Sequence, residues 1–316
     1  MTFDRYLFAY FRNGTDVDAE QIRFAISDDA TARRWTVLRA GQPFLRSSVG
    51  EGGVRDPYLI RDPRGGRFFL VATDLHAAID DDWARAVRHG SRSIVVWSSD
   101  DLVTWSAPWL APVAVAGAGN AWAPKAYWDA SAQLWHVVFA SSVYDEGDDR
   151  EIATHQRMFV TDTVDFEVFS PARLYLDRGH DVIDVALLEM NGITHRFSAD
   201  SWLDDDDGVA SCYVSQERGN GIFDPDFTLV SRELGRPTLS RAEGPAPVVA
   251  VDGSGAFLLL DEFEQRGCQL FHCTDPARDV WRHVPEAALP AGARHGSLLP
   301  ITDAEAHRLL DADGAA

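Results

Sequence analysis

The sequence is poor in cysteine and contains no long apolar run. Its three cysteines, Cys212, Cys268 and Cys273, are an odd number and form no CxxC pair, so they predict neither a zinc site nor a disulfide framework. No run of about 18 apolar residues occurs, which excludes a conventional membrane-spanning helix. The opening residues MTFDRYLFAYFRNGTD lack the basic and apolar segments of a secretory leader. We therefore expect a cytoplasmic protein with free thiols, or a secreted one if a leader precedes this sequence.

Positive charge is also scarce. The chain has 29 Lys and Arg against 49 Asp and Glu, a net charge of -20 at pH 7. Nucleic acids and anionic membrane surfaces are bound through an excess of Lys and Arg, so we predict neither as a partner. With 316 residues, of which 46% are hydrophobic, the chain can build one large core. We expect a single domain over residues 1–316.

Long helical periodicity is rare, and a strand-and-turn pattern recurs instead. In five segments an apolar strand ends in a small polar cluster, followed by a charged turn and an aromatic residue: IRFAISDDATARRWTVL, SIVVWSSDDLVTWSAP, RMFVTDTVDFEVFSP, SCYVSQERGNGIFDPDFTLVS and QLFHCTDPARDVWRHV. Their spacing of about 50–70 residues is typical of propellers, solenoids and arrays. The intervening runs, rich in Val, Ile, Phe, Tyr and Leu and bounded by Gly, Pro, Asp and Asn, predict further strands and hairpins.

Roughly four strands in each of five units predict an all-β fold, a five-bladed β-propeller. The N-terminal strands YLFAYF and IRFAIS lack a hairpin of their own kind, so we expect them to complete the last blade with RHGSLLPI and leave no open sheet edge. A short C-terminal helix is predicted at about residues 302–312, capped by Thr302 or Asp303. Three recurring tryptophans are expected to pack between blades: Trp35, Trp105 and Trp281.

Three acidic residues stand where apolar strands begin: Asp56 before PYLI, Asp184 before VALL and Glu243 before GPAPVV. If the first strand of each blade begins near the axis, these residues are equivalent and converge on one pocket. Clustered buried carboxylates are costly and raise one another's pKa, a device of acid–base chemistry. Two neighbours compete with them. Asp62 is interpreted as a hairpin turn because RDPRGG is rich in turn residues, and Asp184 is preferred to Asp181 for its place against the strand.

The ordered motifs resemble glycoside hydrolase family 43, five-bladed propeller enzymes that act on arabinose- and xylose-containing polysaccharides. VRDPYLI, NAWAPKAYWD, VIDVALLEMNG, AEGPAPVV and RHGSLLPI are similar to that family's motifs, in order, over about residues 50–300. The resemblance implies that Asp56 is the general base, Glu243 the general acid, and Asp184 the residue that orients the acid and adjusts its pKa. The chain departs from the family at Asp184, which Val follows instead of Pro, and in the strand pair before the first motif.

The same resemblance implies an inverting exo-glycosidase that releases α-L-arabinofuranosyl or β-D-xylosyl units from oligosaccharides of plant polysaccharides. Trp122 is a candidate to stack on a sugar ring, and Arg55 and Asp74 are candidates to bind hydroxyls. His295 is expected to approach the axis, through a water or a bound cation. No cofactor is required, but a structural calcium near the axis remains open.

Three acidic loops resemble calcium loops only superficially: IDDDWARAVRHG, YDEGDDREIATH and SWLDDDDGVA. DDDDG lacks the spacing and the closing Glu of an EF-hand. We expect solvated loops at the propeller rim.

Three alternative functions remain open. SSDDLVTW resembles the aspartate box of sialidases, with Leu102 in place of Gly, but no arginine trio for a substrate carboxylate is evident. A non-catalytic carbohydrate-binding propeller needs the fold and an aromatic platform without an acid–base pair. An inverting phosphorylase on a similar frame needs basic residues in the pocket.

Overall fold

A computed structural model describes residues 2–202, 210–274 and 281–314. These residues form five four-stranded antiparallel sheets, which confirms the predicted five-bladed β-propeller. The strands are β1 (Arg5–Tyr10), β2 (Arg23–Ser27), β3 (Trp35–Val37), β4 (Val54–Arg61), β5 (Phe68–Asp74), β6 (Ser93–Ser99), β7 (Trp109–Pro112), β8 (Trp122–Asp129), β9 (Leu134–Ser141), β10 (Arg157–Thr163), β11 (Arg173–Leu176), β12 (Val182–Met190), β13 (Ile193–Asp200), β14 (Tyr213–Gly219), β15 (Thr228–Leu234), β16 (Glu243–Val249), β17 (Ala256–Glu262), β18 (Gly267–Cys273), β19 (Trp281–His283) and β20 (Ser297–Ile301).

The five sheets are arranged as a ring around the first strand of each. Blades I to IV are β4–β7, β8–β11, β12–β15 and β16–β19, and blade V has the order β20-β1-β2-β3. The first strands contact one another in succession, β4 with β8, β8 with β12, β12 with β16, β16 with β20, and β20 with β4. The loops that lead into these strands therefore meet at the axis, where the predicted carboxylates lie.

Blade V closes the ring as predicted, because β1 pairs with both β2 and the C-terminal β20. The chain then continues into α2 (Asp303–Gly314), close to the predicted bounds. Thr302 caps this helix: its hydroxyl accepts a hydrogen bond from the backbone of Glu305 at 3.2 Å, and its own N–H donates to the Glu305 carboxylate at 2.8 Å. This reciprocal arrangement is a capping box.

The recurring tryptophans pack between blades, as expected. Trp35 lies in the core between blades IV and V, and Trp105 in the core between blades V and I. Trp281 on β19 packs edge-on against Phe197 of blade III, with ring centroids 5.8 Å apart. Each ring thus buries apolar area from two neighbouring sheets at once, which stabilises their association.

The aspartate-box-like segment forms a structural turn. Asp101 Oδ1 accepts hydrogen bonds from the backbone of Val103 at 2.9 Å and of Thr104 at 2.7 Å, and Leu102 has φ 70°. The positive φ at Leu102 explains why Gly is expected at that position. The turn lies after the third strand of blade I, away from the first strands at the axis.

One of the three acidic loops is not a plain loop. The segment IDDDWARAVRHG contains helix α1 (Trp83–His89), in which Asp82 caps the first turn by accepting from the backbone of Arg85 at 2.9 Å. The expectation of a solvated loop was therefore wrong there. The segment YDEGDDREIATH is a loop, and most of SWLDDDDGVA lies outside the described residues. No helix in the described ranges has the length and apolarity needed to cross a membrane.

Candidate active site

The first strands of blades I to IV share one irregularity, an extra residue near the axis at which the ladder shifts register. The residue at this bulge has a positive φ: Asp56 (53°), Ala123 (50°), Asp184 (59°) and Gly244 (55°). A bulge re-aims a side chain, and a non-glycine residue held at positive φ is costly and typical of functional sites. Asp56 and Asp184 therefore occupy the same structural position in two different blades.

Glu243 does not occupy that position. It lies one residue earlier, where blade I has Arg55, and Gly244 takes the bulge instead. The prediction of three equivalent carboxylates was thus right for Asp56 and Asp184 and one residue out for Glu243. The reason is steric, since a Cβ added at Gly244 would overlap the ring of His295.

A cavity of about 250 Å³ lies at the axis and brings the three predicted carboxylates together. It also contains three of the four predicted substrate-binding residues. Its lining comprises Asn13, Arg55, Asp56, Thr73, Leu75, Trp83, Trp122, Ala123, Ile183, Asp184, Glu243, Phe263, Glu264, Arg294 and His295. The competing carboxylates lie elsewhere: Asp62 binds Arg64 in the hairpin turn, and Asp181 lines a second cavity.

Asp56 is held as an anion. The Thr73 hydroxyl donates to its Oδ2 at 2.6 Å, and His295 Nε2 lies 2.9 Å from its Oδ1. Burial acts to raise the pKa of Asp56, but the hydrogen bond and charge of His295 outweigh it and hold the pKa below its ordinary value. An ionised carboxylate at the cavity wall is able to accept a proton from water.

The pKa of Glu243 is shifted in the opposite direction to that of Asp56. Burial, and the negative charges of Asp184 and Asp261, raise its pKa to about 7 against the opposing charges of His295 and Arg294. The side chain nevertheless keeps 21% of its surface exposed, and it lines the cavity. A carboxyl with this pKa carries a proton near neutral pH and is able to donate it. The cavity therefore contains one proton acceptor and one proton donor.

Asp184 acts on Glu243 through its negative charge. It is buried, and its Oδ2 accepts a hydrogen bond from the backbone of Gly244 at 2.9 Å. Lys125 on β8 is also buried, and its charge interacts with both Asp184 and Asp56. Burial lowers the pKa of Lys125. The sequence analysis does not predict Lys125 as a site residue, although Lys125 directly follows the Trp-Ala-Pro motif.

Two further charged residues were missed, Asp261 and Arg294. Asp261 on β17 is fully buried, and its Oδ2 lies 2.6 Å from Arg294 Nε and 2.8 Å from His295 Nδ1. Arg294 also pairs with Glu243. Arg294 is signalled in the sequence by its place immediately before the predicted His295. Asp261 has no such signal, because its neighbours on β17 are ordinary strand residues.

Arg55 and Trp122 line the cavity, but their contacts differ. Arg55 is paired with the buried carboxylate of Glu20, and its guanidinium stacks 4.6 Å from the ring centre of Phe11. Trp122 is partly exposed and meets Trp83 of α1 edge-on, with ring centroids 6.2 Å apart. Trp122 also lines a neighbouring cavity of about 360 Å³, so its indole forms a wall common to both cavities.

Asp74 does not line the axial cavity, so its placement gives no support to the predicted role in binding hydroxyls. Its side chain is 2% exposed, and its Oδ1 accepts a hydrogen bond from the backbone of Glu51 at 2.8 Å. Asp74 therefore organises the turn that precedes β4.

The axial residues do not fit a calcium ion. Glu243, Asp261 and His295 offer ligand atoms within 4.8 Å of one another, but Arg294 pairs with both carboxylates. Calcium takes six to eight oxygen ligands, whereas a guanidinium and an imidazole fill this place.

The comparison with protein families matches nearly the whole chain. Residues 2–307 match the family described as "Probable glycosyl hydrolase domain", a relative of glycoside hydrolase family 43. Among curated proteins, the chain is similar to an α-L-arabinofuranosidase of Bifidobacterium longum subsp. longum, with 26% identity over 220 residues. That match covers 66% of this chain and 20% of the relative, so the chain spans about a fifth of that protein's length.

Solved structures show the same fold at low sequence identity. An α-L-arabinofuranosidase of Fusarium graminearum in complex with an iminosugar inhibitor has a TM-score of 0.56 and 15% identity, covering 88% of this chain and 76% of its own. An α-L-arabinanase of Penicillium chrysogenum complexed with arabinobiose has a TM-score of 0.55 and 15% identity, covering 89% and 77%. These similarities establish the architecture alone.

Proposed function

The chain belongs to the family of probable glycosyl hydrolases related to family 43, and from this premise we propose that it hydrolyses arabinose-containing oligosaccharides. One observation carries the proposal. A single cavity of about 250 Å³ holds an ionised Asp56 and a Glu243 whose pKa is raised to about 7. Glycoside hydrolysis needs such a pair, one carboxylate to activate water and one carboxylic acid to protonate the leaving oxygen.

In the proposed reaction Asp56 accepts a proton from a water that attacks the anomeric carbon. Glu243 donates its proton to the glycosidic oxygen as the bond to that carbon breaks. The charge of Asp184 keeps Glu243 protonated until this step, since a like charge disfavours ionisation.

We propose that the reaction inverts the anomeric configuration, as the resemblance to family 43 implies. Inverting enzymes keep their two carboxyl groups far enough apart to leave room for a water. His295 lies beside both groups, with Nε2 2.9 Å from Asp56 Oδ1 and Nδ1 3.6 Å from Glu243 Oε1. The two carboxyl groups therefore contact different nitrogens of one imidazole ring, an arrangement compatible with inversion.

The substrate is proposed to be cleaved from one end. The small axial cavity suits a single sugar, and the adjoining cavity of about 360 Å³ shares Trp122, Ile183, Glu243 and Phe263 with it. Glu243 on the boundary is placed to protonate an oxygen between a sugar in one cavity and a leaving group in the other. Arabinofuranose is preferred to xylose because the similar curated protein is named for arabinofuranose.

Nitrophenyl α-L-arabinofuranoside and β-D-xyloside, followed by arabino-oligosaccharides, test this proposal. We expect release of arabinose with inverted anomeric configuration, observed by NMR immediately after cleavage. Product of retained configuration would refute inversion. Binding of oligosaccharide without any hydrolysis would identify a carbohydrate-binding propeller instead, and turnover that requires phosphate would identify a phosphorylase.

A further inference from the structure

The axis concentrates ionisable side chains from several blades. Among the described residues, the buried or partly exposed carboxylates of Asp56, Asp184, Glu243 and Asp261 meet there. Buried anions cost several kcal/mol each unless cations balance them, so the source of positive charge decides whether this site is stable. The groups that face one another are Arg55 and Asp56 on β4, Lys125 on β8, Asp184 on β12, Glu243 on β16, Asp261 on β17, Cys268 on β18, and Arg294 and His295 before β20.

We propose that the protein supplies this charge itself, with His295 held as an imidazolium between Asp56 and Asp261 and with Arg294 and Lys125 beside it. In this arrangement side-chain cations take the place of a divalent metal. The inference concerns the same cavity as the proposed function, but it describes the charge state of the site and does not depend on hydrolysis.

The geometry of His295 carries the argument. Nε2 lies 2.9 Å from Asp56 Oδ1, and Nδ1 lies 2.8 Å from Asp261 Oδ2. Ionised carboxylates only accept hydrogen bonds, and a neutral imidazole has only one N–H to donate. Both contacts are hydrogen bonds only if both nitrogens carry a proton. A neutral ring would turn a lone pair toward one of the two carboxylates.

The electrostatic surroundings agree with this assignment. Burial acts to lower the pKa of His295, but its hydrogen bonds to Asp261 and Asp56 and the charge of Asp184 raise it to about 10. His295 and Arg294 likewise hold the pKa of Asp261 below its ordinary value, against the effect of burial. Each charge therefore stabilises its neighbours.

The same contacts exclude His295 as a metal ligand in this arrangement. A metal ligand must offer a lone pair, so an imidazolium cannot coordinate. Arg294 further occupies the carboxylates of Glu243 and Asp261. A cation entering here would have to displace Arg294 from both carboxyl groups.

Asp261 is the positioning residue of this arrangement. Its Oδ2 accepts from Arg294 Nε at 2.6 Å, from His295 Nδ1 at 2.8 Å and from the His295 backbone at 3.2 Å. It lines neither cavity, so it acts through its two neighbours.

Nitrogen NMR of histidine side chains in the EDTA-treated full chain tests the proposal directly. We expect both ring nitrogens of His295 to be protonated up to at least pH 8. The signal is assigned by its loss in His295→Gln, or by its proximity to the Phe11 ring, whose centroid is 5.5 Å away. In Asp261→Asn the deprotonation midpoint should fall by about one pH unit or more, because one anionic partner is lost.

Asp162→Asn is the matched control, since Asp162 pairs with His136 at 2.6 Å in blade II. It should leave the His295 midpoint unchanged. A neutral His295 at pH 7 in the parent protein would overturn the proposal. That measurement needs no variant, so it decides the question even if Asp261→Asn fails to fold.

A second test measures whether calcium binds to the protein. Thermal unfolding should give the same midpoint in EDTA and in excess calcium chloride, because a ligand that does not bind cannot stabilise. Stoichiometric calcium binding by calorimetry, lost in Asp261→Asn, would overturn the proposal. Neither arm measures hydrolysis, so an inactive protein with an imidazolium at His295 would refute only the proposed function.

Discussion

The backbone N–H of Gly244 donates a hydrogen bond to Oδ2 of Asp184 at 2.9 Å, across the boundary between blades III and IV. The bond fixes the Asp184 carboxylate beside the residue that precedes Gly244, which is Glu243. The negative charge of Asp184 contributes to the raised pKa of Glu243. From this relationship we predict that Asp184 affects the pH profile of activity.

Asp184→Asn should shift the alkaline limb of kcat/KM to lower pH. A general acid must be protonated, so activity falls as pH rises through its pKa, near 7 for Glu243. Removing a neighbouring negative charge lowers that pKa. The pH range over which the enzyme is active therefore becomes narrower on its alkaline side. Asp181→Asn is the control variant, because Asp181 is a nearby aspartate that lines the adjoining cavity. If the alkaline limb of kcat/KM is the same in Asp184→Asn and the parent protein, Asp184 does not raise the pKa of Glu243 during catalysis.

Glu243→Gln should lower kcat on arabino-oligosaccharides by about 10²–10⁴-fold, the usual contribution of general acid catalysis. Aryl arabinofuranosides with acidic phenols should lose much less, since such leaving groups depart without protonation. Glu286→Gln is a suitable control because Glu286 is exposed and pairs with Arg33 at 3.3 Å, outside the axial cavity. Equal losses on both substrate classes would contradict the assignment of Glu243 as the acid.

Asp56→Asn should abolish water activation and lower kcat by about 10²–10⁴-fold on every substrate, activated or not. The chain provides a natural control, because Asp62 stands in a second Arg-Asp-Pro sequence and binds Arg64 in a hairpin turn. Asp62→Asn should leave kcat intact and cost about 1 kcal/mol of unfolding free energy, measured by urea denaturation. Reversed effects of the two variants would show that Asp62, and not Asp56, activates the water.

Gly244→Ala should destabilise the protein more than Gly253→Ala. Both glycines have positive φ, 55° and 75°, so each alanine costs about 1–3 kcal/mol of backbone strain. No atom of the described, non-adjacent residues lies within 4 Å of a Cβ at Gly253, whereas a Cβ at Gly244 overlaps the His295 ring. The overlap adds about 1–3 kcal/mol. Equal unfolding midpoints would show that the ring of His295 moves aside freely.

The fold was predictable because its signals are periodic and local. Strand patterns, turn residues and recurring tryptophans such as Trp105 each involve only a few neighbouring positions in the sequence. These local patterns occur in five units, and their repetition predicts the five blades. Asp56 and Asp184 were found in the same way, as residues at corresponding places in two repeats. A repeated pattern thus revealed what a single motif would not.

The rest of the site depends on contacts between blades, which no local pattern encodes. The offset of Glu243 follows from the space that His295 takes at Gly244, 51 positions later in the chain. Asp261 carries no motif, and only the fold places it against His295. Helix α1 is not evident from the sequence, because its seven residues follow a run of aspartates that is typical of a loop.

Chain order has a consequence for biosynthesis. Arg294 and His295 directly precede β20, the strand that completes the innermost layer of blade V, while β1–β3 of the same blade are made first. A ribosome-bound chain that has already produced all four axial carboxylates still lacks Arg294 and His295, two of their counter-charges. We therefore expect the charge at the axis to be balanced only when β20 docks on β1 and closes the ring.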